Sequence, residues 1–205
     1  GRVQLEPEQR LGVIGVGPPS GLCGSGLIDL LGELLRTGRI NSCGRLTDGS
    51  DRFWLDAEND VYLTEEDISQ LAQAKAANVA GLHLLHQNYG IDFSDLDVFY
   101  LAGGFARHID LDHARRIGLI PDLPDERIVQ VGNAALEGAT LALLSVSARE
   151  EIDQLVRRIE HVELETFPEF FHCFTEGAQF VPFQTRITEA IILPVRQLHL
   201  NFLSR

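Results

Sequence analysis

Hydrophobic and polar positions follow two different periods along the chain, and their order predicts an α/β fold. Apolar residues at helical spacing occur in "SGLIDLLGELLRTGRI" (25–40), and again in 64–90, 133–145 and 148–162. Short β-rich runs separate these segments: "RLGVIGV", "RFWL", "VYL", "VFYLA" and "ERIVQVG". Strands that alternate with helices of this length are typical of α/β domains.

Capping residues predict where several helices begin and end. Thr64 precedes three acidic residues, which is typical of a capping box, and Gly90 ends the same segment. Asn133 is a good N-cap for the helix after it, and Gly38 a good C-cap for the helix before it. "DLDHARRIG" predicts a short helix, and "VELE" a final short strand.

The run "DVFYLAGG" predicts the most informative turn. Its uninterrupted apolar residues indicate a central strand, Val98–Leu101, buried on both faces. Gly103 and Gly104 then lie at the carboxyl edge of a sheet, where open α/β folds bind ligands. Without Cβ atoms, they allow a flat ring to lie on the backbone, and Phe105 could form one wall. A plain tight turn is the alternative.

Two other glycine-rich segments compete with this turn. "GVGPPSG" (15–21) is similar to a dinucleotide fingerprint, but its two prolines remove backbone donors and no acid-ended strand follows. "GLCGSG" (21–26) opens a helix, so Gly24, Ser25 and Gly26 could meet a phosphate there. Cys23 could instead be a nucleophile at the same helix end, or the glycines could serve only close packing.

Composition excludes some partners and predicts no metal site. The chain has 205 residues and a formal net charge of −13, which argues against nucleic acid or an anionic membrane as partner. No apolar run reaches the length of a membrane span. Its three cysteines include no C-x-x-C pair and fit a reducing cytoplasm. His83 and His86 have a spacing that could hold a metal, but boundary histidines are the commoner case.

The two ends of the chain predict a piece of a longer protein. The sequence starts at Gly1 and contains no methionine. Residues 184–205 carry a net charge of +2, from three arginines and one glutamate, in contrast with the acidic remainder. We therefore expect one lobe over 1–183 and a tail of unknown role over 184–205.

Several motifs in one order resemble a known family. "GLCGSGLIDLLGELLRTGRI", "LTEEDISQLAQAKAA", "VFYLAGGFA", "RIGLIP" and "VGNAALEGA" together resemble the C-terminal ATPase domain of the reductive activators of corrinoid-dependent proteins. The resemblance runs from about residue 11 to about residue 183. It implies a ribonuclease-H-like lobe of the actin, sugar-kinase and heat-shock ATPase superfamily, with a helical insertion.

The resemblance also implies a function. These activators are iron–sulfur ATPases in which nucleotide turnover helps an electron reach the Co(II) of a corrinoid protein or B12-dependent methyltransferase. ATP with Mg²⁺ would be bound by the longer protein, and a [2Fe–2S] cluster by an upstream region. The site positions implied in this chain are Gly103, Gly104 and Phe105 on the adenosine turn, Lys75 on the helix that reaches the nucleotide, Gly24, Ser25 and Gly26 near the phosphates, and Gly132 and Asn133 at the hinge helix.

The chain departs from the family's pattern in two respects. It has no cysteine-rich region, and it lacks the Asp-x-Gly-Thr phosphate turns; "LTDGS" and "DLPDE" have the wrong neighbours. We therefore expect this piece alone to be inactive as an ATPase. Two alternatives stay open, another ATPase of the superfamily such as an acyl-CoA dehydratase activator, and a non-enzymatic docking or dimerisation module. A homodimer is compatible with each.

Overall fold

The computed structural model describes residues 2–104 and 106–183, and its mixed order of strands and helices confirms the α/β class. The predicted tail and Phe105 lie outside the described residues. The strands are β1 Arg2–Gln4, β2 Arg10–Gly12, β3 Arg52–Asp56, β4 Val61–Thr64, β5 Phe99–Ala102 and β6 Ile128–Gly132. The helices are α1 Gly24–Arg36, α2 Glu65–Tyr89, α3 Leu111–Arg116, α4 Ala134–Leu144, α5 Val146–Val156 and α6 Phe170–Gly177.

The predicted helix ends are confirmed where a side chain or a glycine marks them. Thr64 forms a reciprocal capping box with Asp67 at the start of α2, and Gly90 ends this helix in the left-handed conformation. Gly38 follows α1 with a φ of 68°. Asn133 accepts a hydrogen bond from the Leu136 amide at the start of α4. These signals act within a few residues, so the sequence alone reveals them.

The described strands form three separate pairs. β1 and β2 are antiparallel, as are β3 and β4, whereas β5 and β6 are parallel. Parallel strands need a long connection between them, and here α3 lies on it. The β5–β6 pair places the carboxyl ends of both strands at one edge, the edge at which the glycine turn was predicted.

The prediction of a central strand buried on both faces is wrong. β5 alternates between half-buried and exposed positions, and Tyr100 is 65% exposed. Among the described residues β5 pairs only with β6. An apolar run shows that both faces of a strand are apolar, but it does not show that something covers both. The same holds for α4 and α5, whose leucines Leu141, Leu144 and Leu155 are exposed.

Three further sequence predictions need correction. The strand predicted over 10–16 ends at Gly12, and the apolar residues Val13, Ile14 and Val16 are exposed. "VELE" does not form a strand, because a 3₁₀ turn occupies Leu164–Thr166. The last predicted helix, 148–162, runs instead from Val146 to Val156. β1 and α6 were not predicted at all.

The core has two parts, and packed helices form each of them. Leu30, Leu31 and Leu34 of α1 are fully buried and belong to one cluster with Ala114 and Ile117 of the α3 region. Ile128 of β6 belongs to this cluster, and Phe99 and Leu101 of β5 pack against it. α6 packs on α2 through the buried Cys173. Over the described residues, every helix is too short or too polar to cross a bilayer.

Candidate functional site

A backbone hydrogen bond joins the carboxyl ends of β5 and β6. Gly103 directly follows β5 and Gly132 ends β6; the amide of Gly103 donates to the carbonyl oxygen of Gly132 at 2.6 Å. Their φ angles are 123° and 60°, in the region that favours glycine. The ends of the two strands and the start of α4 therefore meet at one place.

The φ angles and the space beside Gly103 and Gly104 bear on two interpretations of this glycine pair, a tight turn and a ligand contact. A tight turn accounts for Gly103, because its φ is positive, but Gly104 is not among the residues with positive φ. A Cβ atom built on either glycine would meet none of the described residues within 4 Å. Among the described contacts and φ angles of these two residues, only those of Gly103 require glycine. A ligand lying against the backbone would account for Gly104.

A side chain of β6 holds the segment that follows the turn. Gln130 donates from Nε2 to the carbonyl oxygens of Ala106 at 2.7 Å and Ile109 at 2.9 Å. Arg107 and His108 of the same segment are exposed. The segment that follows the glycine turn is thus tied to β6 by side-chain hydrogen bonds as well as through the chain.

The structure gives Lys75 a role that the sequence did not suggest. Its side chain is 2% exposed, and its ammonium donates to the carbonyl oxygens of Gly177 and Gln179, at 2.5 and 2.8 Å. The ammonium also lies over the Phe180 ring, 5.6 Å from its centroid. Burial lowers the pKa of Lys75 to about 8. Lys75 satisfies the orphan carbonyls at the end of α6, and neither bond reaches the glycine turn.

Gly24, Ser25 and Gly26 form the first turn of α1, as the sequence predicted. Cys23 is the N-cap: its Sγ accepts from the Gly26 amide and lies 3.4 Å from the hydroxyl oxygen of Ser25. The bond to Ser25 is the main reason that the pKa of Cys23 is lowered to about 7. A cavity of about 240 Å³ lies beside this helix start, lined partly by Gly26 and Cys23 and not by Gly103 or Gly104.

The two segments that come nearest to a phosphate turn serve local structure. In "LTDGS", Asp48 accepts from the amide and the hydroxyl of Ser50, at 2.9 and 2.7 Å, in an exposed turn. In "DLPDE", Asp125 pairs with Arg115. Within 2–104 and 106–183 there is no group of three or more side chains suited to hold a metal ion.

Sequence reasoning missed a buried polar cluster between α1 and α3. The imidazole of His113 lies between two carboxylates, with Nδ1 3.4 Å from Asp29 and Nε2 3.3 Å from Glu33. Asp29 is the main reason that the pKa of His113 is raised, while Arg36 is the main reason that the pKa of Glu33 falls to about 2. Two acids four residues apart inside the apolar stripe of α1 were the available signal.

Comparisons with known proteins agree on one family. A family model described as the C-terminal domain of RACo, the ASKHA domain, matches residues 1–190. The corrinoid activation enzyme RamQ of Eubacterium limosum is 33% identical over 192 residues, which are 82% of this chain and 32% of that protein. A reductase of Methanosarcina barkeri, named for a Co(II) methylated amine-specific corrinoid protein, is 28% identical over 171 residues, covering 80% of this chain and 31% of its own.

A solved structure gives the same result in three dimensions. It is a reductive activator for a corrinoid, iron–sulfur protein, with a TM-score of 0.80 and 33% identity over 87% of this chain and 32% of that one. The chain thus spans about a third of the length of the relatives it matches. ASKHA domains are nucleotide-binding ATPase domains, and the resemblance seen in the motifs is confirmed. The chain belongs to the family of C-terminal ASKHA domains of the reductive activators of corrinoid proteins.

Proposed function

We propose that the protein containing residues 1–205 is an ATP-dependent reductive activator of corrinoid proteins. Its substrate is the oxidised Co(II) corrinoid of a partner, a corrinoid protein or B12-dependent methyltransferase, which gains one electron and becomes Co(I). The observation that carries this proposal is the family match over residues 1–190. Relatives named for corrinoid activation and for the reduction of a Co(II) corrinoid protein support it.

Within that protein, residues 1–183 would form the nucleotide-binding lobe, with a ribonuclease-H-like arrangement of strands. Gly103 and Gly104 would contact the adenosine of ATP, and Phe105 would form a wall of the site. The bare backbone beside the glycine pair supports this assignment, as does its place at the carboxyl ends of parallel strands. The adenosine needs a flat surface with no side chain in its way, and the turn offers one.

Gly24, Ser25 and Gly26 would lie towards the phosphates and their Mg²⁺. This proposal rests on their position in the first turn of α1, where backbone amides point outward. Lys75 is left out of the nucleotide site, because two backbone carbonyls already receive its ammonium.

The cysteines of the chain do not fit an iron–sulfur cluster. Cys23 caps α1, Cys43 is exposed in a loop, and Cys173 is buried against α2. A [2Fe–2S] cluster would therefore need ligands outside residues 1–205. We derive no step of the reaction through it.

The proposal is tested by following the cobalt of a partner. The full-length gene product is mixed with a Co(II) corrinoid protein, a low-potential one-electron reductant and Mg²⁺–ATP, and Co(I) is measured by its absorbance. We expect Co(I) to accumulate only when both activator and ATP are present, and not with a non-hydrolysable ATP analogue. Reduction that is independent of ATP, or ATP-dependent activation of an acyl-CoA dehydratase instead, would contradict the proposal.

A further inference from the structure

The segment after the glycine turn is attached to β6 by the side chain of Gln130. Its two hydrogen bonds reach the carbonyl oxygens of Ala106 and Ile109, at 2.7 and 2.9 Å. A carboxamide nitrogen carries two hydrogens, so these bonds use its whole donor capacity. One side chain thus fixes both ends of the 3₁₀ turn Ala106–His108.

The orientation of the Gln130 amide follows from its neighbours. The nitrogen and oxygen of a carboxamide have nearly the same shape, so their assignment depends on the hydrogen bonds around them. Both neighbours here are backbone carbonyl oxygens, which only accept. The nitrogen must face them, and an oxygen at this position would be repelled by both.

The pairing of β5 with β6 is irregular next to Gln130. Tyr100 pairs with Val129 and Leu101 with Gln130, but the register shifts before Ala102 pairs with Gly132. Beyond this irregularity, the Gly103 amide donates to the carbonyl oxygen of Gly132 at the end of β6. The glycine turn is therefore attached to β6 at both ends, before it by that backbone bond and after it by the side chain of Gln130.

Both residues whose carbonyl oxygens accept from Gln130 are buried. Ala106 is 5% and Ile109 is 6% exposed, so both flank the turn as buried anchors. The Ile109 amide also donates to the Ala106 carbonyl oxygen at 3.4 Å. Between these residues and the strand lies Gly104, where a Cβ atom would meet no described residue within 4 Å.

We propose that Gln130 is a positioning residue of the nucleotide site, which holds the glycine turn in the conformation that the adenosine contacts. This inference rests on the proposed function. A turn that contains two adjacent glycines has many conformations available, and ordering it on binding costs affinity. Because Gln130 already orders the turn in the folded protein, the entropy cost of ordering it does not reduce the affinity for the nucleotide.

The test uses two variants of Gln130 and one matched control in the full-length gene product. Gln130→Glu keeps the shape but replaces the donor with an oxygen that faces two carbonyls. Gln130→Met removes the donor without adding charge. Gln73→Glu makes the same charge change on the exposed side of α2.

Three quantities are measured: the ADP dissociation constant by calorimetry well below the unfolding temperature, the midpoint of thermal unfolding without nucleotide, and hydrogen exchange of the amides of residues 106–109. We expect Gln130→Glu to weaken ADP binding by about tenfold, which corresponds in free energy to about one unmade hydrogen bond. We expect Gln130→Met to weaken it by less. Exchange over 106–109 rises in both, and Gln73→Glu changes none of the three.

The outcomes separate this inference from the function on which it rests. If wild type binds ADP and both Gln130 variants bind it equally well, Gln130 is only structural; the inference fails and the proposed function stands. If wild type shows no saturable ADP binding, the nucleotide site itself fails, and the inference with it. If Gln130→Glu does not fold, Gln130→Met decides the result by the same criteria.

Discussion

His113 lies so close to Gly32 that a Cβ atom on this glycine would come within 2.6 Å of the Cβ of His113. Gly32 is in the interior of α1, where glycine normally costs stability relative to alanine. Here it allows α1 and α3 to pack, and it lets His113 reach the two carboxylates of α1. Glycine at this position is therefore explained by contact between helices.

This contact predicts that two helical Gly→Ala substitutions act in opposite directions. Gly32→Ala should lower the free energy of unfolding by about 1–3 kcal/mol, because the new methyl group overlaps His113. Gly138→Ala lies inside α4, where the new Cβ would meet no described residue within 4 Å, and should raise the free energy of unfolding by about 0.5–1 kcal/mol. Urea unfolding measures both. A stabilising Gly32→Ala would show that the helices are not in close contact.

The charge on His113 predicts a dependence of stability on pH. Because the pKa of His113 is raised above 6.5 in the folded protein, its contribution is fully present below pH 6.5. It is lost as the pH rises through the folded-state pKa. Arg2, Asp110 and Arg36 also face this cluster, together with the two carboxylates of α1.

The His113→Asn variant isolates that contribution. Unfolding free energies of wild type and variant are measured at pH 6 and pH 8, so that other titrating groups cancel in the difference. We expect wild type to exceed the variant clearly at pH 6 and by less at pH 8. A difference that grows with pH would mean that the folded state does not favour the imidazolium.

Lys75 is the only lysine of the chain, and its burial predicts that its amine is protected from chemical modification. An amine-reactive reagent should not modify Lys75 in the folded protein, with or without ATP, and should modify it after unfolding. Lys75→Met should cost about 1–3 kcal/mol of stability, because two carbonyl oxygens lose their donor. Nucleotide affinity should not change. If the reagent modified Lys75 in the folded protein and ATP prevented this modification, Lys75 would belong to the nucleotide site.

Residues 1–205 expressed alone should release no phosphate from Mg²⁺–ATP above a protein-free background, and should bind ATP weakly. Catalysis of phosphoryl transfer is largely positioning and electrostatic stabilisation of the phosphates. Neither "LTDGS" nor "DLPDE" provides this, since Asp48 and Asp125 are used in local contacts. Calorimetry and a phosphate-release assay measure the two quantities. Sustained turnover by this piece would place a complete active site within it.

Local signals explain what could be predicted from the sequence. Thr64, Gly90 and Asn133 act on their own helix ends, and the predicted α2 and α4 are confirmed. The glycine turn was found for the same reason, since a strand, two glycines and a capped helix lie close together in sequence. The family motifs that surround it made the resemblance specific, and the family match bears it out.

The features that the sequence did not indicate depend on contacts between distant residues. Lys75 bonds to carbonyls more than 100 positions away, and no pattern around it indicates that α6 ends there. Among the described residues β1 pairs only with β2, and its three residues of ordinary composition gave no signal. The exposure of Tyr100 depends on what covers a strand, and an apolar run does not carry that information.

Gly104→Val shows whether a nucleotide lies on the glycine turn. Gly104 has no positive φ, and no described residue would lie within 4 Å of its Cβ, so valine should fold without strain. Gly103→Val, with its φ of 123°, adds backbone strain, and Gly17→Val at 120° is its matched control away from the turn. The measurement is the ADP dissociation constant of each full-length variant, with its unfolding midpoint.

We predict that Gly104→Val weakens ADP binding by at least about tenfold while the unfolding midpoint stays within about 1 °C of wild type. Gly103→Val should weaken binding as well, whereas Gly17→Val should lose only stability. Wild-type ADP affinity in Gly104→Val, with an unchanged unfolding midpoint, would show that no nucleotide lies on the glycine pair and that the pair forms a tight turn only.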